Sequence, residues 1–230
     1  MNRNTLQLVY FSTWGIIILT TLYLILLFLP LLIKQEPEWR PAITSYYRTE
    51  ISVGFLFDFN GFVFYLRTIL MISLFAGFLD YTNNSVKVFT LTAFSFIVLS
   101  AVLHTLSYIG QTALRNFNIN ACDNECLLYY THSLLDNYIT SVNVIALTIF
   151  VGLAELFLIP VFSKTNKIGR NISLTLIINV IFNMLSALMF LLDKEGISAL
   201  LMLTGLIFFI GFLLLFIKFF GHLKSQGYDG

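Results

Sequence analysis

Few residues in this chain could do chemistry, and most of them stand in stretches otherwise built of Leu, Ile, Phe and Val. Arg67, His104 and Glu155 are the three ionisable residues in this position. A charge at the centre of a bilayer costs at least about 2.5–3.5 kcal/mol on insertion scales, so such residues usually face protein or a cavity and have partners. Glu155 lies roughly 10 Å, by helix rise, from the end of its apolar run at Phe162. Asn179 lies at a matching distance into the next run. Asn183 and Ser186 follow Asn179 at i+4 and i+7, on the same helix face. Glu155, Asn179, Asn183 and Ser186 therefore form either a buried site or a structural contact. As a site they would bind a cation, a proton or a polar substrate group. As a contact they would hold two helices together through hydrogen bonds averaging well under about 2 kcal/mol each. A protonated Glu155 would then act simply as a donor.

Arg67, His104 and Asn143 lie towards the opposite ends of their runs. They could converge on a second, outward-opening polar pocket with Asp58 and Asp136 near its mouth. The alternative for Arg67, at roughly 12 Å depth by helix rise, is to snorkel its guanidinium to the headgroups. A lone His near the end of an apolar run is more often interfacial than catalytic.

The two cysteines frame the segment Cys122-Asp123-Asn124-Glu125-Cys126. On the outer side of a membrane the pair would face an oxidising space where a disulfide persists, although so small a ring limits the benefit. Free structural thiols are the alternative. Asp123, Glu125 and His132 bring metal-ligating types nearby, but the spacing fits no standard zinc pattern. Redox pairs usually have two residues between their cysteines, and this pair has more. No phosphate-binding loop, dinucleotide fingerprint, H-E-x-x-H or nucleophile elbow occurs. No cofactor or metal is expected.

These residues need elements to position them, and composition says which. The chain of 230 residues is 58% hydrophobic and only 11% charged. Its mean hydropathy is +0.86. A soluble domain carries about 25% charged residues, so lipid is the solvent that suits this one. A net charge of +1 offers no electrostatic footprint for nucleic acid. The expected fold is an all-α, polytopic integral membrane protein, residues 1–230 forming one domain.

A spanning helix needs roughly 20 apolar residues. Six runs qualify, at about 9–33, 59–79, 86–108, 139–162, 172–192 and 197–220. The first is followed by Lys34-Gln35-Glu36-Pro37 with no small-residue cleavage site, which marks a retained anchor rather than a signal peptide. After it, Ile43, Tyr47, Ile51 and Phe55 recur every fourth residue behind Pro41. That pattern predicts a short amphipathic interfacial helix or, alternatively, a loop with aromatic anchors. Ser73 and Gly77 form a small-xxx-small pair suited to internal packing or to dimerisation.

Lys and Arg in short loops set orientation. One side would hold Arg3, Lys87, Lys164, Lys167, Arg170, Lys218 and Lys224; the other would hold Lys34, Arg40, Arg48, Arg115 and Lys194. The excess favours a multi-pass protein of the plasma or inner membrane with both termini in the cytoplasm.

The junction of the fourth and fifth runs reads Phe162-Ser163-Lys164-Thr165-Asn166-Lys167-Ile168-Gly169-Arg170-Asn171-Ile172. It resembles the basic inner turn of a bacterial family of six-span membrane proteins of unknown function, which typically has Pro where this chain has Gly169. The ending Phe216-Ile217-Lys218-Phe219-Phe220 is similar in style. The resemblance implies a six-helix inner-membrane protein and carries over no activity and no site residues.

The expected function is non-enzymatic: a bundle that binds or passes a small solute, or a membrane subunit. Glu155, Asn179, Asn183 and Ser186 would form the inner site, with Arg67 and His104 on the outer approach. One alternative is an assembly or scaffolding subunit of a membrane complex. Another is a membrane enzyme using the outer loop of Cys122, Cys126 and His132. Beyond lipid, the partners considered are another membrane protein or a second copy of the chain.

Overall fold

Backbone amides and carbonyls surrounded by apolar groups must pair within their own segment, so apolar runs of this length fold as helices. A computed structural model describes residues 3–34, 51–118, 138–163 and 165–225, which are helical apart from short turns. The helices are α1 (Arg3–Lys34), α2 (Ile51–Tyr81), α3 (Lys87–Asn118), α4 (138–163), α5 (Lys167–Leu191) and α6 (Glu195–Ser225). All 6 contain a stretch long and apolar enough to cross a membrane.

Two boundaries differ from the sequence expectation. Helix α2 starts at Ile51, so Ile51 and Phe55 belong to it and not to a separate interfacial helix. No Pro lies between Phe55 and Gly61 to stop the helix. The rest of that expected helix lies outside the described residues. So do Cys122, Cys126, His132 and Asp136. Helix α3 continues to Asn118, beyond the expected end near residue 108.

Each helix packs against its neighbours in sequence, and α1 meets α6 to close the ring. The connections between Tyr81 and Lys87 and between Ser163 and Lys167 are short, which makes the helices they join antiparallel. Asn166 caps α5, its side chain accepting from the Gly169 amide at 3.0 Å, a common use of Asn before a helix. The α5–α6 corner turns at Asp193, whose φ of 58° is left-handed. There the Lys194 amide donates to the Met189 carbonyl at 2.8 Å. Asp tolerates this conformation better than a β-branched residue would.

The end of the bundle that holds both turns is sealed by aromatic rings. Phe78 of α2, Phe162 of α4 and Phe216 of α6 meet across the middle. Centroid separations are 4.8 Å for Phe78–Phe216 and 5.1 Å for Phe162–Phe216. Phe212, Phe219 and Phe220 extend the cluster, and Phe162, Phe212 and Phe216 are fully buried. Such pairs contribute about 0.5–1.5 kcal/mol each beyond their buried area.

Along the α1–α2 seam, side chains of one helix enter gaps left by glycines on the other. Leu70 fills the space at Gly15, and Val9 fills the space at Gly77. Gly77 thus serves internal packing against α1. Gly77→Leu should lower stability by about 1–3 kcal/mol through overpacking. Gly211→Ala, where nothing lies within 4 Å of an added Cβ, should not. Thermal unfolding of both variants in detergent checks this, and equal loss in both would refute the packing role.

Candidate functional site

Helix α4 is not uniform. A π-helical turn at Ala146–Phe150 separates Tyr138–Ile145 from Val151–Ser163. A wider turn inserts a residue and rotates the C-terminal part of the helix by about 100° relative to a regular helix. The rotation sets how Val151 and Glu155 face the bundle relative to Asn143. A π-turn also disturbs the backbone pairing ladder, and a hydroxyl from α3 compensates. Ser100 Oγ donates to the Ala146 carbonyl at 2.9 Å.

Glu155 is fully buried at 0% exposure. Asn179 Nδ2 donates to its Oε1 at 2.6 Å, and Asn183 Nδ2 donates to Oε2 at 3.3 Å. The i, i+4 spacing on α5 lets one carboxyl engage both amides. Asn179 Oδ1 is buried with no hydrogen-bond partner. Gly205 of α6 lies over this pair. A Cβ there would come within 3.0 Å of Asn179 Oδ1 and 3.3 Å of Asn183 Oδ1. A side chain there would crowd the amide oxygens and require them to shift by a few tenths of an ångström.

Ser186 is fully buried, but it does not join this group. Its hydroxyl donates to the Ser198 carbonyl at 2.8 Å, and Ser198 Oγ returns a bond to the Ser186 carbonyl at 2.9 Å. This reciprocal clasp ties α5 to α6 near their shared corner. Ser186 shares a helix face with Asn183 yet meets a different neighbour, because α6 runs beside α5 there.

Arg67 is 4% exposed and does not reach the surface. Its guanidinium carbon lies 4.9 Å from the Phe64 ring centre and 5.6 Å from that of Phe209. Such stacking supports a cation but satisfies none of its N–H groups. Nε is buried without a hydrogen-bond partner.

Beside Arg67 lies a cavity of about 60 Å³. It is lined by Tyr23, Phe64, Arg67, Asn179, Asn183 and Gly205, with Leu147, Val151, Met202, Leu203, Leu206 and Phe209 completing the wall. Phe209 also belongs to the apolar core, so the aromatic cluster forms the closed side of the cavity. A smaller space of about 10 Å³ lies on another side of Arg67, beside Thr68, Ser100 and His104. That is about the room one water needs. His104 Nδ1 is paired with Asn143 Oδ1 at 2.6 Å, and its ring meets Phe64 edge-on at 4.8 Å.

Arg67, expected on the outer approach, thus lines one cavity with Asn179 and Asn183, while Glu155 is bonded to those two amides and His104 borders the smaller space beside Arg67. Sequence reasoning missed Tyr23, Phe64, Ser100, Gly205 and Phe209. Tyr23 was the single legible hint among them, a phenol in a Leu/Ile run. Nothing in an apolar run marks one Gly or Phe over another.

The carboxyl and its amides depend on each other. Asn179→Leu removes the shorter bond to Glu155 and should cost about 1–3 kcal/mol, the usual penalty for leaving a buried polar group unmet. Ile181→Leu, on an exposed part of the same helix, should be neutral. Chemical or thermal unfolding in detergent measures both, and a neutral Asn179→Leu would rule out a structural dependence. Comparison of the chain with protein-family models, curated proteins and solved structures found no match.

Proposed function

We propose that this chain is a multi-pass membrane protein that binds a small polar solute inside its helical ring. The observation that carries the proposal is Arg67. A guanidinium stays charged in proteins and offers five donors. Here it is buried, set against two rings, lines a cavity, and keeps an N–H that no protein group accepts. An unmet buried donor costs about 1–3 kcal/mol, and more when charged. A purely structural role would be better served by a hydrocarbon side chain. A ligand with an acceptor group removes the penalty, and Asn179 and Asn183 supply further polar contacts.

Six apolar helices support the membrane setting. The Lys/Arg excess on the side of the short turns favours the plasma or inner membrane with cytoplasmic termini. In that orientation the aromatic seal lies on the cytoplasmic side of the cavity.

The sign of one mutational effect tests the proposal. In the absence of ligand, Arg67→Met should raise the melting temperature, because it replaces a poorly satisfied buried cation by an apolar side chain of similar length. An unmet buried donor costs about 1–3 kcal/mol, and more when charged, so its removal should recover at least about that much at a pH where Glu155 is protonated. The same variant should lose any stabilisation that small polar solutes confer on the wild type in a thermal-shift screen. A lower melting temperature with no solute effect in either protein would make Arg67 a structural residue.

A further inference from the structure

We propose that the cavity takes a small planar monoanion of carboxylate shape, about three or four heavy atoms in size, and that each anion enters together with one proton held by Glu155. This rests on the solute-binding proposal above and adds the ligand class and the coupling.

Shape comes first. The Arg67 guanidinium carbon lies over the rings of Phe64 and Phe209, 4.9 Å and 5.6 Å from their centres. Rings satisfy none of its N–H donors, and the same residue lines the cavity. The buried Nε has no protein partner. A guanidinium edge matches a planar carboxylate through two parallel hydrogen bonds. Size agrees with a short ligand. A cavity of about 150 Å³ holds benzene, so the 60 Å³ available here suits roughly half as many atoms. Asn179 Oδ1 is a second buried atom without a partner, on the same cavity wall. It would accept from a hydroxyl on the ligand or from a water that enters with it.

Charge then requires the proton. Of the titratable groups, Tyr23 from α1 and Arg67 from α2 line the cavity, His104 from α3 lines the smaller space, and Glu155 from α4 lines neither but is hydrogen-bonded to both cavity amides. Helices α5 and α6 contribute only neutral residues to the cavity wall. His104 faces the smaller space and is committed through Nδ1 to Asn143. With Glu155 ionised, Arg67 already has its counter-charge, and an added anion would leave one negative charge uncompensated among apolar walls. With Glu155 protonated, the anion balances Arg67 and the region is neutral. The proton passes from solution to the Glu155 carboxylate, no covalent bond in the ligand changes, and anion and proton bind with mutual cooperation. Coupling of this kind is reciprocal by thermodynamic necessity.

The test uses the full chain in detergent with sodium formate as the probe, at constant ionic strength set with a bulky salt. Formate stays a monoanion between pH 5.5 and 8.5, so any pH slope belongs to the protein. Affinity should fall by about tenfold per pH unit over the alkaline part of that range, with one proton taken up per formate bound. Glu155→Gln should still bind formate but without the slope, and His104→Gln should keep the slope. Arg67→Gln should not bind. Formate binding without a slope in the wild type overturns the proton coupling and leaves the anion site standing. A slope abolished by His104→Gln and kept by Glu155→Gln overturns the choice of proton carrier. No formate binding, with a neutral solute such as urea stabilising the wild type but not Arg67→Met, overturns the anion class while the solute-binding proposal stands. No response to either probe overturns both.

Discussion

The carboxyl of Glu155 and the amides of Asn179 and Asn183 have to find one another, because the helices that carry them offer little else polar at that depth. That constraint organises much of the bundle. It holds α4 against α5 through two hydrogen bonds to one carboxyl. It goes with a close approach of α6, where Gly205 leaves the amide oxygens a tight fit that an added Cβ would crowd. Once Asn179 Nδ2 is committed to Glu155, Asn179 Oδ1 is left buried with no protein donor.

Arg67 obeys the opposite logic. Its surroundings do not satisfy it; they hold it in place. Two rings lie against the guanidinium, Phe209 joins the cavity wall to the apolar core, and Nε is left without a protein acceptor. Packing that tolerates an unmet charge is uncommon where stability alone is at stake, because interiors are close-packed and unmet polar groups are expensive. The two halves of the ring therefore differ in kind. One is filled by Phe78, Phe162, Phe212 and Phe216 without polar atoms, and the other is hollow and polar.

The π-turn in α4 links these halves. It lies where the cavity wall passes from Leu147 to Val151, one turn before Glu155. Wide turns of this kind are often found at functional positions because they re-aim side chains at the cost of regular backbone pairing. The hydroxyl of Ser100 offsets that cost from a neighbouring helix.

Much was legible in the residues themselves. Six apolar runs determine six helices, because a backbone among apolar groups has no other way to pair. The spacing of Asn179 and Asn183 puts both on one face, and antiparallel connection through a short turn brings that face level with Glu155. Helix period and loop length suffice for that much. What periodicity does not contain is which helix stands across the ring. Ser186 shares the face of Asn183 but meets Ser198, and Arg67 shares a cavity with residues of α1, α4, α5 and α6. Depth counted along single helices separates Arg67 from Glu155 into two sites. The closed ring, with a wide turn in α4 and Gly205 in α6, puts Arg67 on the same cavity as the amides that bind Glu155, because lateral neighbours are chosen by packing between helices and leave no periodic signal in the chain.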